Sequence, residues 1–348
     1  MTPEKTAGQL IAGRIPTEDA MLDYWRATDD GLRPKAETVA VLAALSAMPS
    51  ALGMMRSFVR FIRETYPPEA LPAAKSAVNI VGTGGGRSTF NISTTAAFVV
   101  AAAGGKVLKS GSSAYSSSVG SGDILNALGL ARTASDEFTN AMLDDCGLAF
   151  AAPQRYAPLC KRLAIAAMPL PFKMIGRFVN ALGPLICPYE MKAHVIGASS
   201  QRLFEQVHQI AGSLGIPAVV VHSNLGVDEL LSVGTNRWVR AAETLPHRLI
   251  PGDLGLGRDS GLSDLAGGDL AENIAILTDI LKGRGSRACT ETVALNAGMA
   301  LHAGGVVRTL AEGTWLALDC MADGAPYRTL ERAQAFASAE APRLAAMA

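Results

Sequence analysis

Val81-Gly-Thr-Gly-Gly-Gly-Arg-Ser-Thr-Phe-Asn-Ile-Ser-Thr94 is the stretch on which the reading of this chain turns. It follows a short apolar run, Ala77 to Val81, and precedes an apolar segment from Thr95 to Ala103. The first reads as a strand and the second as a helix. A strand, a glycine-rich turn and a helix in that order bring backbone N–H groups near a helix amino terminus, where anions are favoured. Glycine permits positive φ and close backbone approach, so Gly82, Gly84 and Gly85 suit a crowded phosphate. Asn91, Ser93 and Thr94 fall at the helix start, where their side chains cap it or reach a ligand. A lone GTGGG would be a tight turn; the attached TFNIST string tips the reading to an anion site.

A second unusual string runs Lys109-Ser-Gly-Ser-Ser-Ala-Tyr-Ser-Ser-Ser-Val-Gly-Ser-Gly-Asp123. Lys109 ends the short run from Lys106 and offers a phosphate a point charge. The serines and glycines after it would elsewhere read as a linker. Here a helical stretch follows from Gly120 to Gly129, so a mobile site loop is the better reading. A third feature is Asp228-Glu229, just beyond the Pro217-to-His222 strand. Adjacent carboxylates at a strand-to-helix junction suit a hard divalent cation. Acids at a helix start also serve the dipole, so the pair carries weight only beside the phosphate motifs.

Together these strings resemble the anthranilate phosphoribosyltransferase family, whose wording is GTGGD…TFNIST and KHGNR…SSxxGSAD. Leu262–Asn273, Asn296–Gly313 and Thr17–Met48 look like other blocks of the family, so most of the chain is covered. The resemblance implies phosphoribosyl-diphosphate (PRPP) binding by Gly82, Thr83, Gly84, Gly85, Thr89, Asn91, Ser93, Thr94, Lys109, Gly111, Ser117 and Ser121. It implies Mg²⁺ on Asp228 and Glu229, with Ser93 as a further ligand. It also implies a homodimer through the helical domain and an amine acceptor lying between two domains. The amine needs no general base if its lone pair faces the anomeric carbon, so none is assigned.

The chain departs from the family on the acceptor side. KHGNR becomes Lys109-Ser110-Gly111-Ser112-Ser113, and the first loop is one residue shorter, with Gly86-Arg87-Ser88 where an aspartate is usual. The family's PVRRELG segment corresponds to Met168-Pro-Leu-Pro-Phe-Lys-Met174, which has no arginine pair. Serine and proline cannot grip a carboxylate with two parallel charge-assisted bonds as arginine does. Lys173 and Arg177 are the candidate substitutes. The expectation is therefore phosphoribosyl transfer to an aromatic or other amine that is not anthranilate. The alternatives are anthranilate transfer itself, in tryptophan biosynthesis, and a non-catalytic relative that binds nucleic acid.

Thirty-one basic and 31 acidic residues in 348 leave no net charge, and basic runs are lacking, which weighs against nucleic acid. The five cysteines are scattered without a CxxC pair, as free thiols of a reducing compartment are. The polar amino terminus lacks a signal-peptide core, and the longest apolar run, Ala96–Ala103, is far short of the roughly 20 residues of a membrane span. A cytoplasmic protein is expected. Of the five histidines, His222 alone falls near the motifs, and a structural role is favoured for it.

The expected class is α/β. Residues 1–72 form a small all-helical domain opened at Pro16-Thr-Glu-Asp-Ala20, with Thr17 as cap. Residues 73–348 form a larger α/β domain with a central, mainly parallel sheet. By resemblance, part of 155–200 returns to the helical domain.

Overall fold

The computed structural model describes residues 2–48, 51–110, 119–130, 132 and 135–347, with side chains as far as 340. The chain opens on helices α1 (Pro3–Ile11), α2 (Glu18–Asp29), α3 (Lys35–Ala47) and α4 (Leu52–Thr65). Thr17 caps α2: its hydroxyl accepts the Ala20 N–H at 3.3 Å, and Glu18 and Asp19 occupy the positive first turn. Trp25 on α2 is fully buried, its Nε1 donating to Ser57 Oγ at 3.1 Å on α4. Phe58 meets it edge-on at 5.0 Å, and Phe178 stacks on it at 6.2 Å.

Then follow β1 (Ala77–Gly82), α5 (Ile92–Ala102), β2 (Lys106–Lys109), α6 (Ser121–Ala127), α7 (Asp136–Cys146) and β3 (Leu148–Phe150). Helices α8 (Pro158–Ala167), α9 (Phe172–Ile175) and α10 (Arg177–Leu182), the last carrying Phe178, share the apolar cluster of α1–α4. The chain returns through β4 (Ala193–Gly197), α11 (Gln201–Ser213), β5 (Ala218–Ser223), β6 (Asn236–Arg240) and β7 (His247–Leu249). It ends on α12 (Leu270–Leu281), α13 (Arg287–Gly304), α14 (Leu310–Ala322) and α15 (Ala325–Met347). No described helix is long and apolar enough to cross a membrane.

The sheet has seven strands in the order β3-β2-β1-β4-β5-β6-β7. The first five are parallel to their neighbours, while β6 and β7 are antiparallel at one edge. Strands buried on both sides alternate which core they feed. Val219 and Val221 join the cluster built from α5, α12, α13 and α14, whereas Ala218 and Val220 join the cluster of the amino-terminal helices and α11. The sheet is thus sandwiched, and its strand ends are the places left for chemistry.

Two local expectations are corrected. Helix α5 begins at Ile92, not Thr95, because Thr95 already sends its N–H and its hydroxyl back to Asn91 O at 3.1 and 2.9 Å. Ser93 and Thr94 therefore lie inside its first turn. Asn91 does not cap the helix with its side chain, which donates instead to Val119 O at 3.5 Å. Nor do Asp228 and Glu229 open a helix: from β5 the chain passes through turns into the antiparallel strand β6.

Candidate functional site

From β1 the chain winds outward through β2 to β3, then crosses to β4 and β5 on the other side. The winding reverses between β1 and β4, and the carboxyl ends of strands at such a point frame a ligand crevice. Gly82 and Gly197 are register partners at those ends. Asp228 explains both glycines. A Cβ on Gly82 would lie 2.0 Å from Asp228 Oδ2, and one on Gly197 would lie 1.5 Å from the Asp228 carbonyl oxygen. The 228 residue is wedged across the two strand ends, and only glycine leaves room for it.

The wedge sets the phosphate-type turn. Asp228 Oδ2 accepts the Gly84 N–H at 2.7 Å, and Gly84 and Gly85 take φ of 71° and 81°, where glycine is at home. Thr83 N–H donates to Gly197 O at 2.8 Å, and Arg87 N–H to Gly226 O at 2.9 Å. Ser199 stitches the turn from the β4 side, its hydroxyl on Gly84 O at 2.8 Å and its N–H on Thr83 Oγ1 at 3.3 Å. Farther along, Phe90 N–H donates to Leu265 O at 3.0 Å. The absent Gly267 Cβ lets that loop press against Thr89 and Phe90. Among the described residues the amides of Gly85, Gly86, Asn91, Ser93 and Thr94 keep no partner. They form a run of donors beside a helix amino terminus.

Three charges face this turn. Lys109 is buried, its Nζ donating to Ile80 O at 2.9 Å. Burial brings its ammonium down to about 8 against the opposing pull of Glu229 and Asp228. Burial likewise pushes the Asp228 carboxyl up, offset in part by the Gly84 N–H. Glu229 is driven well above the usual carboxylate range, first by burial and then by Asp228 beside it. Its carboxylate makes no hydrogen bond among the described residues. One buried ammonium does not balance two crowded acids that present only oxygen, which is a donor set fitted to a hard divalent cation.

Residues 74–327 match the family model described as "Glycosyl transferase family, a/b domain". The chain is 35% identical over 322 residues to the anthranilate phosphoribosyltransferase of a Synechococcus strain, covering 91% of this chain and 90% of that one. It is 34% identical to the enzyme of that name from Persephonella marina, covering 93% and 96%. The chain belongs to the anthranilate phosphoribosyltransferase family. The crystal structure of the Thermus thermophilus member, 32% identical, superposes with a TM-score of 0.82 over 96% of this chain and 99% of that one. A Saccharomyces cerevisiae member solved in complex with PRPP and Mg, 21% identical, shares the fold at a TM-score of 0.79 over 97% and 98%.

The structure draws Gly82, Thr83, Gly84, Gly85, Lys109, Asp228 and Glu229 to one end of this family's sheet. Ser93 sits half-buried in the first turn of α5, with no hydrogen bond to either acid among the described residues. Ser121 is the first residue of α6, whose Asp123 carboxylate accepts the Gly120 N–H at 2.9 Å. Gly111 and Ser117 lie outside the described residues. Ser199 and Gly197 were not among the sequence candidates. The Gly197-Ala-Ser-Ser200 string after β4, a second strand-to-helix turn, is the signal that could have found them.

On the other flank, Ser110 is buried and committed. Its N–H donates to Asn79 Oδ1 at 3.0 Å and its Oγ accepts from Asn79 Nδ2 at 2.7 Å. Asn79 Nδ2 also lies 3.5 Å from His194 Nδ1. Lys173 and Arg177 are both exposed. His222 is buried with Nδ1 bonded to Ala198 O at 2.8 Å, a structural tie between β5 and the end of β4.

Proposed function

We propose that this chain is a Mg²⁺-dependent phosphoribosyltransferase that moves phosphoribose from PRPP to an amine and releases pyrophosphate. The observation that carries the reading is the set of unpartnered amides at Gly85, Gly86, Asn91, Ser93 and Thr94, beside two acids and one buried lysine that feels them both. In this reading the amides, with Thr83, Thr89, Lys109, Gly111, Ser117 and Ser121, hold the diphosphate and sugar. Asp228 and Glu229, with Ser93, would hold Mg²⁺, which when bound neutralises the charge gathering on the departing diphosphate. The anomeric C–O bond breaks, the amine lone pair forms the C–N bond, and the amine proton passes to solvent. Positioning and preorganised donors supply the acceleration, so no residue acts as general base.

Glu229→Gln keeps the shape and removes the second charge. PRPP binding in the presence of Mg²⁺ should weaken by about 100-fold or more, while thermal unfolding of the metal-free protein is unchanged or slightly later. Calorimetry showing unaltered PRPP affinity would remove the assignment.

For the acceptor we propose an aromatic or other amine not gripped through a carboxylate, because Ser110 is bound up with Asn79 and no arginine pair occupies 168–174. The second reading, anthranilate itself, draws support from the names of relatives about one-third identical over nine-tenths of the chain. Pyrophosphate release measured across a panel of amines that includes anthranilate separates the two. Anthranilate outpacing every other amine would overturn the first reading. We also propose a homodimer through the helical layer, where Ile11, Ile15 and Leu32 are exposed; light scattering that finds a monomer at micromolar concentration would exclude it.

A further inference from the structure

A cavity of about 390 Å³ opens at the opposite end of the sheet, at the amino ends of β4 and β5. The strands separate it from the crevice by five or six residues, roughly 16–20 Å at the usual rise. Its size falls within the range of small-molecule sites. Ile216, Ala218, Val219 and Ala303 give it an apolar lining of small side chains, and Lys192 and Arg240 are the charged residues that line it.

Neither cation has a carboxylate within salt-bridge distance among the described residues. Lys192 is exposed. Arg240 points Nη2 at His302 Nε2, 2.8 Å away, and a guanidinium only donates, so that nitrogen is a neutral acceptor. Glu243, the acid that feels Arg240, gives Oε2 to the Arg240 backbone N–H at 3.1 Å and to the His247 ring at 3.1 Å. It does not line the cavity. The carboxyl ends of α11 and α13 reach the same edge, and their partial charges, about half a unit each, offset only part of two full cations. An apolar hollow with a planar guanidinium that has a neutral imidazole partner but no carboxylate fits one class of occupant.

We propose that this cavity binds a small apolar molecule bearing a single carboxylate, its body against Ala218, Val219 and Ala303 and its carboxylate on Arg240, with Lys192 in support. The forked guanidinium matches a carboxylate with two parallel bonds, which Lys192 alone cannot provide. This site is independent of the crevice and of any reaction there.

Benzoate is the probe, titrated into the full-length protein while the methyl signals of Ala218, Val219 and Ala303 are followed by NMR. Those signals should shift together and saturate near about 1 mM, as a ligand of this size allows. Arg240→Gln should weaken that response about tenfold or more, the cost of a charge-assisted contact. Ala242→Leu, which narrows the cavity from an exposed position, should weaken it as much with unfolding unchanged. Benzyl alcohol, the uncharged counterpart, should bind at least about tenfold more weakly. Methyl signals that stay still up to about 20 mM, or shift equally in both variants, would overturn the proposal. Shifts confined to residues near Gly82 would place benzoate in the crevice and overturn it as well. If Arg240→Gln fails to fold, Lys192→Gln and Ala242→Leu carry the same test.

Discussion

The two flanks of the crevice are built from different materials. On the proposed phosphate flank the groups are backbone amides, aimed by glycines and held by Asp228, Ser199 and the Leu265–Gly267 loop. On the proposed acceptor flank the groups are side chains, and Ser110, Asn79 and His194 satisfy one another in the interior. A backbone-built flank tolerates changes of side chain and fails when a glycine is filled. A side-chain-built flank keeps its fold while its specificity is rewritten one residue at a time.

The largest effect should come from filling a glycine that backbone occupies. Gly197→Ala sets a Cβ against the Asp228 carbonyl, which cannot swing aside. Stability should drop by about 3 kcal/mol or more, and PRPP binding should vanish from calorimetry. Gly82→Ala meets only side-chain atoms of Asp228, chiefly its carboxylate at 2.0 Å, which can rotate. It should cost about 1–2 kcal/mol while still abolishing the Gly84 contact and weakening PRPP binding about 100-fold. Equal stability losses in the two variants would show that Asp228 is not the wedge between the strand ends.

That distinction also explains what could be read beforehand. Glycine patterns announce backbone geometry, so the turn at 82–86, strands β1, β2 and β5 and the cap at Thr17 were legible from residue type alone. The wedge was not, because Gly82, Gly197 and Asp228 are distant in sequence and meet only through the β1–β4 and β4–β5 pairings. The early start of α5 was hidden for a related reason. Asn91 reads as a cap by type, but its side chain is drawn to Val119 across the fold. Asp228-Glu229 read as a helix start because acids favour one; the turn into an antiparallel edge strand overrode that local preference. On the proposed acceptor flank, the loss of the usual residues was plain, but the sequence could not show that Asn79 absorbs Ser110.

The next effect tests how tightly that flank is sealed. Burial first, and the Arg63 charge second, push the His194 imidazole down to about 4. Between pH 6.5 and 4 the unfolded chain then binds a proton that the folded chain refuses. The stabilisation is complete above about 6.5 and is lost as pH falls through this window, by roughly 3 kcal/mol. Denaturant unfolding of the wild type and of His194→Gln, compared across pH 4 to 7, isolates this contribution from the carboxylates titrating alongside. Identical slopes in the two proteins would mean that His194 takes up its proton in the folded state, and that water reaches the β1–β4 interior beneath Ser110.

The smallest effect is expected at Ser110 itself, and it probes the contrast most directly. Ser110→Ala removes the hydroxyl that accepts from Asn79 Nδ2 at 2.7 Å but keeps the N–H that donates to Asn79 Oδ1. Losing one buried hydrogen bond of this kind costs about 1–2 kcal/mol, because the Asn79 amide is left with only the distant His194 nitrogen. PRPP affinity should stay within about threefold, since in the proposed site backbone amides rather than this hydroxyl would hold the phosphate. The acceptor KM should change by more than the PRPP KM in the same assay. A PRPP affinity that falls along with the acceptor's would join the two flanks into one unit, because the Ser110 hydroxyl would then be acting on Lys109, its neighbour at the end of β2, and through it on the acids.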